Sequence, residues 1–230
     1  MKILLTGGSQ GLGKDIVKLL DKKGHKVFFT FNSSIQSAKQ LEKECSNAES
    51  IHCNFLSEES LNSLINNIPS LNISGLINNA VTGLERKHFH KLAKDDLLSS
   101  FNNDTLPHIL ISQACIKVMR KSRFGKIINI LSSSITSPPI GFSNYAANKQ
   151  YLLSMGNSWA NENKKFNISV NSISPSFMLT KLNSSYDNRI LEEMKNDLPN
   201  NTFLEPADVA KSVLFLLESP LHLNKQNIIY

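Results

Sequence analysis

Cysteine is scarce in this chain: Cys45, Cys53 and Cys115 are an odd three, and no two stand in a C-x-x-C spacing. That excludes a disulfide framework and a cysteine zinc site, and it fits a reducing cytoplasm. No apolar run approaches the ~20 residues that a membrane-spanning helix requires. The opening MKILLTGGSQ reaches glycine too soon for a secretory h-region and reads as a buried strand. Acid is the minority charge, with 19 Asp and Glu against 25 Lys and Arg, for a net +6. The excess is diffuse. Its densest stretch, KVMRKSRFGK (117–126), ends a predicted helix, where cations complement the helix dipole. No nucleic-acid motif and no aromatic–basic interleaving accompanies it, so nucleic acid is excluded as a partner. An anionic cofactor or substrate accounts for the charge.

The composition, 40% hydrophobic and 19% charged over 230 residues, is that of one folded domain of ordinary size. Strand patterns alternate with helix patterns along its whole length. KILLT (2–6), KVFFTF (26–31), ESIHCNF (49–55), SGLINNA (74–80), GKIINILSS (125–133), NISVNSIS (167–174) and the final KQNIIY read as strands. Helices are predicted after the first glycines, over 34–45, after the third strand, over 105–121, over 143–163 and over 206–217, the last opening with proline after Glu205. Short connections between them predict an α/β fold: a doubly wound, Rossmann-like parallel sheet in a single domain, 1–230.

TGGSQGLG (6–13) joins the first strand to the first helix. Gly7, Gly11 and Gly13 allow a tight turn and close approach of a pyrophosphate to the helix N-terminus, with Ser9, Gln10 and Leu12 between them. The spacing is G-x-x-x-G-x-G, not G-x-G-x-x-G. After the second strand comes Asn32-Ser33-Ser34, and no acid occurs between Asp21 and Glu42. A carboxylate there would bind a ribose 2′-hydroxyl. Its absence, with three side chains able to hydrogen-bond a 2′-phosphate and Lys14 in reach, predicts NADP(H) over NAD(H). Farther along, YAANK sets Tyr145 and Lys149 at i and i+4, on one helix face. A cation beside a phenol favours the phenolate.

These stretches together, in this order, resemble the short-chain dehydrogenase/reductase family, in its 3-oxoacyl-carrier-protein reductase type. TGGSQGLG matches the family's glycine turn, NNA (78–80) the motif after the fourth strand, and YAANK the Tyr-x-x-x-Lys signature. Ser132 falls on the family's serine, SPSFMLT (174–180) on the turn after the sixth strand, and EPADVAKSVLFLLES on the C-terminal helix. The resemblance implies hydride transfer between a nicotinamide and a carbonyl. Tyr145 would be the proton donor, Lys149 would lower its pKa and hold the nicotinamide ribose, and Ser132 would position the substrate oxygen. It further implies cofactor contacts at Asn54, Phe55, Asn79, Ala80, Pro175, Met178 and Thr180, a small or carrier-bound carbonyl substrate, and a homodimer or homotetramer. Two alternatives remain open: a ketoreductase of a sugar or nucleotide-sugar in glycan synthesis, and a non-catalytic cofactor-binding regulator.

The chain departs from the family pattern at several points. Counting back from SQA places Asp104 on the family's helix asparagine; counting forward from NNA places Asn103 there. Asp104 is favoured, since a loop absorbs an insertion more readily than a helix. Val81 stands for the glycine of NNAG, Asn54 for an aspartate at the adenine, and Ser176 for the glycine of the Pro-Gly turn. The chain ends at NKQNIIY, where relatives continue into Val-Asp-Gly-Gly, which puts the usual tetramer in doubt. His88-Phe89-His90 has no companion ligands and reads as solvated loop, so no metal is expected. His108 reads as structural, Trp159 as core or interface, and 182–198 as the position of the family's substrate lid.

Overall fold

The computed structural model describes residues 1–179, 191–192, 195–196, 198 and 201–230. Thr180 and most of 182–198 lie outside the described residues.

The inner strands are short and buried, whereas the two strands at the edges of the sheet are partly exposed. β1 (Lys2–Leu5), β2 (Lys26–Phe31), β3 (Ala48–His52) and β4 (Gly75–Asn78) form the first half of the sheet. β5 (Gly125–Ile130), β6 (Ile168–Ser174) and β7 (Asn227–Ile229) complete it. The order is β3-β2-β1-β4-β5-β6-β7, with every pair parallel. Leu4 lies opposite both Phe28 and Leu76, so β1 is flanked on both sides. The connection reverses direction between β1 and β4, and a crevice opens there outside the carboxyl ends of the strands.

The helices pack as two layers. α1 (Gly11–Lys22) places Leu12, Ile16, Val17 and Leu20 on one face, a period that matches 3.6 residues per turn. They pack with Val209, Val213 and Leu216 of α7 (Pro206–Glu218) against Ile3, Leu5 and Phe29. α2 (Ile35–Glu44) adds Ala38 and Leu41 to that layer. The other layer is α3 (Glu58–Leu71), α5 (Leu106–Ser122) and α6 (Ser143–Asn163), which bury Leu64, Ile111, Met119 and Trp159 against Leu4, Leu76 and Ile127. Trp159 is therefore core. Among the described residues no helix is long and apolar enough to cross a membrane.

Strand ends fall short of the sequence reading where side chains capture the backbone. β4 stops at Asn78 because the N–H groups of Asn79 and Ala80 both donate to Thr6 Oγ1, at 2.8 and 3.0 Å, instead of to a neighbouring strand. β3 stops at His52; just beyond it Asn54 Oδ1 takes the Leu56 N–H at 3.0 Å and turns the chain. Among the described residues, the elements absent from the sequence reading include α4 (Lys94–Ser100) and a π-helical turn over Phe101–Thr105 that runs into α5. Pro107 supplies the physical reason for the wide turn. It has no N–H to return to the Asn103 carbonyl, and its ring would press on that carbonyl in a regular α-helix. Widening the turn relieves both problems, and turns of this kind concentrate at functional sites.

Candidate functional site

The glycine turn is built by close approach. Gly7 adopts φ +70°, and a Cβ there would sit 2.9 Å from the Ala80 backbone. Gly13 lies against the Gly7 carbonyl, leaving 2.0 Å where a Cβ would stand. Two threonines fasten the turn to the sheet. Gly7 N donates to Thr30 Oγ1 at 2.9 Å, while Thr6 Oγ1 takes the two N–H groups beyond β4. Asn79 closes the other side, with Nδ2 on the carbonyls of Thr6 and Gly7 at 3.0 and 2.9 Å. Thr6 and Thr30 were not singled out from sequence; the available signal was a hydroxyl at the strand end nearest the glycines.

A cavity of about 900 Å³ begins at this turn and crosses the crevice. Gly7, Ser9, Gln10, Gly11, Leu12 and Gly13 line its first wall. Asn32, Ser33 and Ser34 line it beyond β2, where Gln10 Nε2 and Ser34 Oγ are hydrogen-bonded. Phe55, Asn79 and Ala80 follow, then Ser132, Tyr145, Lys149, Pro175 and Met178. Asn54 is not among the lining residues, and its Oδ1 accepts the Leu56 N–H. Lys14 does not line it either; its charge acts on Glu44 across α1 and α2. No carboxylate lines the cavity among the described residues. The donors around Asn32–Ser34 and the narrow glycine cradle fit a dinucleotide with its pyrophosphate at the start of α1.

Ser132, Tyr145 and Lys149 meet at the far end. Ser132 follows β5, and its Oγ accepts the Ser134 N–H at 3.2 Å. Its hydroxyl also interacts with the Tyr145 hydroxyl. Lys149 is buried and donates to the Ile130 carbonyl at 3.2 Å, and its Nζ lies 5.7 Å from the Tyr145 ring centroid. Burial lowers the Lys149 ammonium to about 8, against a smaller upward pull from Asp104. Burial pushes the Tyr145 phenol up to about 12; the Ser132 hydrogen bond opposes this and Asp104 adds to it. In the free protein, desolvation is thus the largest influence on the phenol and shifts it in the direction opposite to the one expected from a neighbouring ammonium.

Asp104 stands on the π-helical turn, behind the pair. A second cavity of about 280 Å³ lies there, lined by Asp104, Asn103, Asn144 and Asn148, and Tyr145 and Lys149 form walls of both cavities. Asp104 Oδ1 accepts from Thr82 N and Thr82 Oγ1 at 2.6 and 2.9 Å. It is thus tied to the loop after β4 and does not cap α5. Val81 lines both cavities. His108 is buried beneath them, with Nε2 donating to the Ala80 carbonyl at 2.8 Å and its ring edge-on to Phe55. Burial first, and the Lys149 charge second, lower it to about 3, so it stays neutral and structural. Below the site, Asn78 Nδ2 donates to Ser112 Oγ and Asn129 Oδ1 at 2.9 and 2.8 Å, joining β4, β5 and α5. His88 and His90 sit on an exposed loop, and no metal-binding cluster occurs among the described residues.

A family model described as short chain dehydrogenase matches residues 1–190. The 3-oxoacyl-[acyl-carrier-protein] reductase FabG of Aquifex aeolicus is 32% identical over 221 residues, covering 93% of this chain and 88% of that one. Carbonyl reductase family member 4 of Xenopus laevis is 32% identical over 217 residues, covering 93% and 89%. Among solved structures, Cj0485 dehydrogenase superposes with a TM-score of 0.89 at 25% identity, covering 99% of this chain and 91% of its own. A single-substitution variant of the actinorhodin polyketide ketoreductase with NADPH superposes at 0.88 with 19% identity, covering 99% and 94%, a likeness of fold.

Proposed function

We propose that this chain, which belongs to the short-chain dehydrogenase family, reduces the carbonyl of a small or carrier-bound oxo substrate to an alcohol, with NADP(H) preferred to NAD(H). Membership makes it a nicotinamide-dependent oxidoreductase. The observation that carries the finer reading is the meeting of Ser132 and Tyr145 with the buried Lys149 on the wall of the cavity that starts at the glycine turn. The reduced nicotinamide, when bound, supplies the hydride. The chain's own groups supply the proton and the orientation. The substrate oxygen accepts hydrogen bonds from Ser132 and Tyr145, and the phenol gives up its proton as charge grows on that oxygen. A phenol pushed up to about 12 keeps its proton at neutral pH, the form a donor needs. The Lys149 ammonium faces the phenolate left behind and offsets its charge. Lys149 also offers its remaining N–H donors to the nicotinamide ribose. For the 2′-phosphate, Gln10, Asn32, Ser33 and Ser34 offer neutral donors, and no carboxylate among the described lining residues repels it. Purified protein is expected to oxidise NADPH faster than NADH with 3-oxoacyl thioesters, simple ketones or nucleotide-sugar ketones. Tight dinucleotide binding with no turnover at any pH would instead support a regulator.

We further propose that Asp104 belongs to a proton path behind the pair, since it and Lys149 both line the smaller cavity. Its charge raises both Lys149 and Tyr145. Asp104→Asn is therefore expected to lower both, moving the alkaline limb of the kcat/KM profile for reduction to lower pH. A limb that stays in place in this variant would remove Asp104 from the path.

A further inference from the structure

Between them, the described residues of the large cavity carry two charged side chains, Lys149 and Arg86. The first belongs to the reaction. The second does not, and it is held in an unusual way. The loop after β4 and the loop before α6 are zipped together: Lys87 N donates to the Gly141 carbonyl at 2.9 Å, and Arg86 Nε donates to the Ile140 carbonyl at 3.2 Å. Gly141 adopts φ +87°, and the Arg86 stem occupies the space beside it, with Cγ at 2.8 Å from where a Cβ would stand. A glycine there admits the arginine stem. Lys87 is tied back to Asp96 at 2.5 Å, so its ammonium is occupied. The Arg86 guanidinium has no carboxylate partner among the described residues, and its two terminal nitrogens extend from an anchored Nε. Phe142, two residues past Ile140, packs edge-on to Tyr145 with ring centroids 6.4 Å apart. The guanidinium therefore stands at the Tyr145 end of the cavity, on the rim. Leu84, Pro139, Ile140 and Phe142 add apolar side chains to the lining of the same cavity.

We infer that Arg86 is a specificity-determining residue: it binds an anionic oxygen group, phosphate or carboxylate, carried on the far end of an oxo substrate whose apolar middle lies along Leu84, Pro139 and Phe142. This rests on the carbonyl-reductase reading of the same site. An anchored guanidinium fork suits such a group because both terminal nitrogens can donate to two oxygens at once. Among the described residues of the cavity no carboxylate competes for it. Two sources carry that chemistry, the phosphate of a phosphopantetheine thioester and the carboxylate of a free oxo acid, and paired probes separate them.

The test uses the full chain with NADPH and two substrate pairs: a 3-oxoacyl phosphopantetheine thioester against its dephosphorylated form, and an oxo acid against its methyl ester. The charged member of one pair is expected to have the higher kcat/KM by about tenfold or more, mainly through KM. The pair that shows the preference names the source. Arg86→Ala should bring the ratio toward one, Arg86→Lys should restore part of it, and added salt should reduce it, since the guanidinium sits at the rim. Lys91→Ala, an exposed cation of the same loop outside the cavity, should keep the ratio. A charged-to-neutral ratio near one in both pairs, or one unchanged by Arg86→Ala, overturns the inference while leaving the reductase reading intact. Calorimetry with phosphopantetheine against pantetheine, and with the oxo acid against its ester, in the presence of NADP⁺, reads the same preference without turnover. Failure of the reductase reading is thereby told apart from failure of the Arg86 assignment.

Discussion

Tyr145→Phe is expected to lower kcat for carbonyl reduction by about 10²–10⁴-fold, the usual worth of a positioned general acid. The same variant should change the dinucleotide Kd by less than about tenfold, the equivalent of one neutral hydrogen bond of ~0.5–1.5 kcal/mol. The two numbers separate because the substitution deletes one oxygen and leaves the ring. Phe142 keeps its edge-on partner, Lys149 keeps the Ile130 carbonyl, and Ser132 keeps the Ser134 N–H. The glycine turn and its threonine fasteners lie at the other end of the cavity and are untouched. What is lost is the group whose proton is retained, by burial, up to about 12. Stopped-flow or steady-state loss of reduced-cofactor absorbance gives kcat, and calorimetry gives Kd. A variant that keeps wild-type kcat would move the proton donor to another group and take the proposed chemistry with it.

The sheet was legible because strands such as β1, β2 and β5 carry runs of large apolar residues that end in polar punctuation. The parallel order followed from the helix between each pair. The meeting of Tyr145 with Ser132 was legible by resemblance, and the shared face of Tyr145 and Lys149 by helical geometry alone. The direction of the phenol's shift was not. A neighbouring charge can be counted along a sequence, whereas desolvation depends on what the rest of the chain places around the group, and here desolvation is the larger effect. Asn54 shows a related limit. An amide three residues before a helix N-cap serves equally well for a ligand or a turn, and the structure has it holding Leu56. The π-helical turn was missed because the residues that cause it, Phe101 to Pro107, look like ordinary helix with a proline at its start. Only the run-in of α4 makes Pro107 an internal proline. Arg86 was passed over because its significance lies in what it touches, the Ile140 carbonyl and the space beside Gly141, more than fifty residues away in the chain.

Gly13→Ala should cost the protein both stability and cofactor affinity. The added methyl would stand 2.0 Å from the Gly7 carbonyl oxygen and 2.9 Å from Asn79 Nδ2. Neither neighbour yields cheaply. The first is backbone, held at Gly7 N by Thr30 Oγ1. The second donates to the Gly7 and Thr6 carbonyls, so pushing it away leaves two acceptors short of a partner. Overpacking of this kind costs ~1–3 kcal/mol, which lowers Tm by about 2–4 °C for each kcal/mol in a chain of this size. The dinucleotide should lose about tenfold or more in affinity, since every ~1.4 kcal/mol of displaced phosphate contact is one decade. Gly24→Ala provides the contrast. Gly24 also has a positive φ, +78°, but nothing lies within 4 Å of the position its Cβ would take. Its variant should cost ~1–2 kcal/mol of left-handed strain and leave dinucleotide affinity unchanged. Similar stability losses with divergent affinities would assign Gly13 to the close approach that the pyrophosphate turn demands. Equal affinities in the two variants would mean that the turn tolerates displacement, and that the cofactor is held elsewhere in the cavity.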